Sequence, residues 1–200
     1  MELTKTEANS LLAIDQEVGK HHFSPAEYEI IRRVIYETGD FDYLSHVHFS
    51  ERALSAGAAA LAARTAIVTD VPFIRAGIAN ATQTSFSNPI YCHIEGHHSH
   101  QLTILAKRYP EAIFMIGKET TGVSTFLNLL EQDEIQPAFA IITAPKLVDV
   151  EVMEENLAAL TIPHIRVTGR KGSASVAMGI FNGLIDLAWQ VYAHRETIPS

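Results

Sequence analysis

The sequence predicts an α/β fold, a three-layer α/β/α domain around a mostly parallel sheet of about five strands, and three observations predict it. Short apolar runs recur along the 200 residues without the polar alternation of a half-exposed strand, and runs of that kind suit strands covered on both faces. Helical stretches separate these runs, giving the βαβα order that builds parallel sheets. Several of the runs end in glycine-bearing or polar turns, as the carboxyl ends of parallel strands do where a ligand is bound.

Taken in order, the first clear helix starts at Ser24-Pro25-Ala26-Glu27. A capping serine, proline in the first turn and a carboxylate three residues after the serine are a helix-start signature. That helix runs to about Glu37, with Tyr28, Ile31, Val34 and Ile35 on its apolar side and Gly39 beyond its end. Ser50 to Leu61 reads as a second helix, rich in small residues. The strand candidates are Ala66 to Thr69, Ile90 to His93, Ile113 to Ile116, Phe139 to Thr143 and Ile165 to Val167. Between and after them lie helical stretches at Ser99 to Arg108, Gly122 to Leu130, Val150 to Leu160 and Ala174 to Ala193. No repeat, low-complexity segment or linker interrupts the chain, so residues 1–200 are read as one domain.

Composition narrows the function. Apolar residues make up 47% and charged residues 19%, which suits a globular chain rather than a disordered one. A formal charge of −8 argues against a nucleic-acid binder, which needs a basic face. An acidic small molecule stays compatible, because its site needs only a few local cations. Cys92 is the single cysteine, so neither an internal disulfide nor a thiolate metal cage is expected, and a reducing cytoplasmic setting fits. No apolar run approaches the roughly 20 residues of a membrane helix, and the first residues lack the basic-then-apolar order of a signal peptide.

The most informative turn is Gly169-Arg170-Lys171-Gly172-Ser173, which leads from a strand into the long last helix. Glycine lets backbone approach a ligand, and free amides at a helix N-terminus attract carboxylate or phosphate. Arg170 or Lys171 would add a charge-assisted bond. The same residues also read as an ordinary helix cap with two solvated cations. The spacing is not that of a Walker A loop. Gly117-Lys118-Glu119-Thr120-Thr121-Gly122 is a second strand-to-helix turn with the same two readings. His93, His97, His98 and His100 cluster, but they match no zinc motif, and a loop before Ser99 would leave them exposed. His46 and His48 would share one face of an extended segment. Neither group is assigned a metal. There is no G-x-S-x-G elbow, and Cys92 falls in a strand where a thiol is usually inert.

From about Ser10 to about Leu184 the chain resembles the precorrin-8X methylmutases. The resemblance rests on Val34-Ile35-Tyr36-Glu37-Thr38-Gly39-Asp40, on Phe49-Ser50 with Ala56-Gly57, and on the run from Ile67 through Asp70-Val71-Pro72 to Ile78. It continues through the Gly117 turn to Gly169–Ser173 and Asn182. It implies a homodimer that binds a corrinoid ring in a cleft between subunits. The implied reaction moves a methyl group from C11 to C12, without a cofactor, to give hydrogenobyrinic acid or its cobalt form. Such a site must hold a flat apolar ring, pair its carboxylates and lend a proton. Arg75, Lys118, Arg170 and Ser173 are the implied carboxylate partners, and Ala76, Gly77 and Ala174 leave space for the ring.

Three stretches depart from the family pattern. The family's proton-donating histidine, in a V-x-H-x-x-G-like stretch, is matched here by Tyr36. A free phenol titrates near about 10 and a free imidazole near about 6.5, so tyrosine is the weaker acid. His22 is a neighbouring group that would serve instead. A Pro-Val-Gly-Phe-like turn appears as Pro145-Lys146-Leu147-Val148, and an Arg-Ser/Thr-Ala run as His97-His98-Ser99-His100-Gln101. Both changes fall on expected substrate contacts. The readings left open are a tetrapyrrole binder that does not rearrange its ligand, and an enzyme using the Gly169 turn on a small phosphorylated or carboxylated substrate.

Overall fold

The computed structural model describes residues 4–92 and 98–192. In chain order the elements are α1 (Lys5–Val18), α2 (Pro25–Thr38), α3 (Tyr43–His46), β1 (Val47–Phe49), α4 (Ala53–Ala62), β2 (Ile67–Thr69), α5 (Pro72–Gln83) and β3 (Ile90–Tyr91). They continue with α6 (His98–Arg108), β4 (Ile113–Ile116), α7 (Thr120–Glu131), β5 (Phe139–Ile142), α8 (Val150–Ala158), β6 (His164–Val167) and α9 (Ala174–Tyr192).

The sheet has six strands in the order β1-β6-β5-β4-β2-β3, all parallel except β1, which runs antiparallel to β6. The three-layer expectation holds, and side-chain alternation shows why. In β4, Ile113 and Met115 enter one core while Phe114 and Ile116 enter the other; in β5, Phe139 and Ile141 separate in the same way from Ala140 and Ile142. One core joins the sheet to α2, α4, α5 and α9, and the other joins it to α6, α7 and α8. β4 and β5 are therefore apolar on both faces, and that produces their unalternated runs.

All five predicted strands form, β4 with the predicted ends and the other four with ends shifted by one or two residues. The sixth, β1, has only three residues and includes the exposed His48, too short and mixed to carry a periodic signal. It forms because β6 offers an edge, with Val47 opposite Val167 and Phe49 opposite Ile165. His46 closes α3 instead of sharing an extended face with His48. The predicted strand at Ile90 ends at Tyr91; Cys92 lies just beyond it, half-buried. His93 and His97 lie outside the described residues, whereas His98 and His100 fall within α6.

Three helices were not expected. α1 begins at a capping box formed by Thr4 and Glu7 and buries Leu11 and Ile14. The four-residue α3 buries Tyr43. α5 begins at Pro72, three residues after β2 ends, and buries Ile74 and Ile78.

α9 carries the fold. It packs along α2 and also against α4 and α5, and its glycines let α2 come close: a Cβ on Gly179 would lie 3.0 Å from Val34 Cα, and one on Gly183 would lie 3.0 Å from Ile30 Cα. The two helices run antiparallel, bringing the end of α2 to the start of α9. Buried between them, Arg33 Nη2 lies 3.0 Å from Asp186 Oδ2. Contrary to the sequence expectation, α9 is long and apolar enough to cross a membrane by length and composition. Half of its apolar window is buried inside the fold, and packing against three helices accounts for its hydropathy.

Candidate active site

Four turns, at the carboxyl ends of β2, β4, β5 and β6, converge on one cleft of about 510 Å³. Val71, Pro72 and Phe73 form one wall, Gly117 and Lys118 the floor, and Pro145 with Gly172 to Ser175 the other wall. The starts of α5 and α9 lie in these walls, and α7 starts two residues beyond Lys118. The N-termini of α5 and α9 therefore bring their partial positive charge to the cleft. Among the described residues, Lys118 is the charged member of the lining, and no carboxylate belongs to it. Phe73 is 59% exposed, a large apolar face at the rim. In an acidic protein, this is a local environment for a ligand that is apolar in its body and anionic at its edge.

The turns are held by specific bonds. Asp70, nearly buried, accepts from the Gly117 amide at 3.1 Å and the Lys118 amide at 2.9 Å through Oδ2. Thr143 Oγ1 donates to the Ser173 carbonyl at 2.8 Å, and Ser173 Oγ accepts from the Val176 amide at 3.3 Å, capping α9. Gly172 has φ +137, and a Cβ there would lie 2.1 Å from the Thr143 carbonyl oxygen; only glycine fits so close to β5. Lys171 Nζ reaches Asp40 at 2.7 Å and Asp42 at 2.6 Å, tying the turn to the chain that follows α2. Those bonds hold the Asp40 carboxyl below its ordinary range and the Lys171 ammonium above its own.

Of the residues singled out in sequence, Lys118, Ser173 and Ala174 line this cleft. Arg170 is exposed and outside the lining, its Nη1 3.4 Å from the Leu147 carbonyl. Arg75 lies on α5 in a separate surface groove with Asn88 and Ile90. Gly77 is no space for a ring: a Cβ there would lie 2.4 Å from Met178 Sδ, so this glycine admits α9 instead. Tyr36 is half-buried near the end of α2, packed against the core that includes α9, and is not part of the cleft lining. His22 precedes the same helix, its ring 4.3 Å from Phe23. A helix advances about 1.5 Å per residue, so His22 sits near the opposite end of α2 from Tyr36.

Two further expectations change. Lys146, expected at a substrate contact, is wholly buried: Nζ donates to the Val167 carbonyl at 2.7 Å and lies 3.2 Å from Glu154 Oε1. Burial pushes its ammonium below the ordinary lysine value, Glu154 opposing and Arg166 reinforcing the shift. Burial also pushes the Cys92 thiol up, away from the reactive thiolate. Among the described residues no group of three or more His, Cys, Asp or Glu could hold a metal. Glu154 has no sequence signal, because a carboxylate on a helix reads as part of a solvated face and only the fold brings the Gly169 amide to it.

Comparison with known proteins places this geometry in a family. The family model described as precorrin-8X methylmutase matches residues 5–187. A cobalt-precorrin-8 methylmutase of Synechocystis sp. is 32% identical over 204 aligned positions, covering 90% of this chain and 94% of that protein. A precorrin-8X methylmutase of Pseudomonas aeruginosa is 26% identical over 176 positions, covering 80% and 84% respectively. The crystal structure of a precorrin-8X methylmutase from Thermus thermophilus superposes with a TM-score of 0.85 at 27% identity, covering 94% of this chain and 99% of that one. The chain belongs to the precorrin-8X methylmutase family.

Proposed function

We propose that this protein is a methylmutase that moves a methyl group from C11 to C12 of precorrin-8X or cobalt-precorrin-8 in cobalamin biosynthesis. The observation that carries this reading is a family match spanning nearly the whole chain, together with a cation-bearing cleft where strand ends and helix starts converge. The reaction is an isomerisation: the bond from the methyl carbon to C11 breaks, its bond to C12 forms, and any proton lent by the enzyme is returned. The residues supply positioning and charge. Lys118 and the amides at the start of α9, with Ser173, would pair ring carboxylates, a charge-assisted bond being stronger than a neutral one. Phe73 would pack on the apolar face of the macrocycle.

Tyr36 occupies the family's proton-donor position and is proposed to lend the proton, with Arg75 and Arg170 as outer carboxylate partners. Because neither Tyr36 nor Arg75 lies in the cleft of one chain, this assignment goes with a homodimer in which a second copy completes the site. Sedimentation at micromolar concentration tests it, a monomer removing the shared site. No cofactor, nucleic acid or membrane is required by the chemistry. The deciding experiment incubates the protein with precorrin-8X, and separately with its cobalt form, and follows the visible spectrum and products. Conversion of either supports the proposal; a perturbed spectrum without product would leave a tetrapyrrole binder.

A further inference from the structure

Beneath the Gly169–Ser173 turn lies an ion cluster that the proposed reaction does not use. Glu154, on α8, meets three donors from separate parts of the chain. Its Oε1 accepts from the Gly169 amide at 3.0 Å and lies 3.2 Å from Lys146 Nζ. Its Oε2 accepts from Arg166 Nη1 at 2.6 Å. The Lys146 side chain is 0% exposed, that of Arg166 8% and that of Glu154 24%. Lys146 stands in the loop after β5, Arg166 on β6, and Gly169 opens the turn that supplies a cleft wall.

Stability alone does not explain such a cluster, since replacing a buried ion pair by apolar residues of similar size is often neutral or stabilising. An apolar cluster could not accept the Gly169 amide. Gly169 has φ +71, so its amide direction sets where the chain heads next. The later points of the turn are held elsewhere, Lys171 by Asp40 and Asp42 and the Ser173 carbonyl by Thr143. Glu154 holds the first point, and the two buried cations hold Glu154.

We infer that Glu154, fixed by Lys146 and Arg166, is a positioning residue that aims the ligand-binding turn by accepting the Gly169 amide. This rests on the reading of the cleft as the corrinoid site. It also assigns a role to Lys146, where the family pattern has an apolar residue.

Two variants separate the hydrogen bond from packing and charge. Lys146→Met/Glu154→Leu/Arg166→Met removes every charge and the acceptor. Glu154→Gln/Arg166→Met keeps an amide oxygen for Gly169 and Lys146, the amide NH2 facing methionine. Backbone hydrogen exchange of residues 169–173 is measured in the free proteins, and KM and kcat are measured with precorrin-8X. A bond to a charged acceptor corresponds to roughly tenfold or more. The triple variant should therefore exchange about tenfold faster at the turn and show a KM raised about tenfold, with kcat nearly unchanged. The double variant should stay within about threefold of wild type in both. Wild-type exchange and KM in the triple variant would overturn the inference, as would a double variant no better than the triple. Should the triple variant not fold, Glu154→Ala replaces it in the same comparison. If the wild type neither binds nor converts a corrinoid, the functional reading fails, while exchange at the turn still decides the role of Glu154.

Discussion

Replacing Gly172 by alanine tests the geometry of the cleft most sharply. At φ +137 a side chain is strained in itself, and the new Cβ would sit 2.1 Å from the Thr143 carbonyl oxygen. Backbone strain of this kind costs about 1–3 kcal/mol. Relieving the overlap means moving the turn by about 1 Å, which endangers the 2.8 Å bond from Thr143 to the Ser173 carbonyl, worth about 1 kcal/mol. The fold should lose roughly 2–4 kcal/mol, a fall in Tm of roughly 5–15 °C for a chain of this size. The wall formed by Gly172 to Ser175 moves with the turn, and a 1 Å misplacement can cost about 100-fold in rate. Thermal unfolding and steady-state turnover, both well below the variant's Tm, separate the two effects. Gly19→Ala is the control: Gly19 has φ +63, and nothing lies within 4 Å of where its new methyl group would stand, so it should lose some stability and no activity. A Gly172→Ala protein with wild-type kcat/KM would refute the claim that this turn shapes the site.

Three further perturbations address other parts of the site. Tyr36→His places an imidazole at the proposed proton-donor position and should raise turnover, most of all below about pH 6.5 where that donor is protonated; no gain in turnover would mean the phenol is no handicap or lends no proton. Lys118→Ala should weaken corrinoid binding by about tenfold or more, and Arg170→Ala by less, since only Lys118 lines the cleft; the reverse order in a spectral titration would shift the anion site to the outer loop. Burial pushes the His164 imidazole below its ordinary value, with Arg166 and His48 reinforcing the shift and the Ile162 carbonyl opposing it. The folded state then binds this proton less readily than the unfolded chain. Its contribution is full above about pH 6.5 and is lost as pH falls, at up to about 1.4 kcal/mol per pH unit. His164→Gln should flatten that acid-side fall in Tm, and an unchanged slope would assign it to other groups.

The core strands and the cleft turns were legible in sequence because their causes are local. Ile113 to Ile116 and Phe139 to Ile142 must be apolar on both faces wherever helices cover both sides of a sheet. Ser24 and Glu27 cap α2 within a single turn, and Gly169 and Gly172 take the positive φ that glycine adopts without steric cost. The turns carrying Lys118 and Ser173 could be placed together because strand-to-helix turns gather at one end of such a sheet. Tertiary structure alone decided the rest. β1 exists only through its pairing with β6. Gly77, which reads as room for a ligand, is filled by Met178 from a helix about a hundred residues away in sequence. Lys146 reads as a surface or ligand cation, yet it is buried, because Val167 and Glu154 arrive at its ammonium from β6 and α8. Sequence names the charges; which of them meet one another and which face the cleft depends on long-range packing that no local pattern encodes.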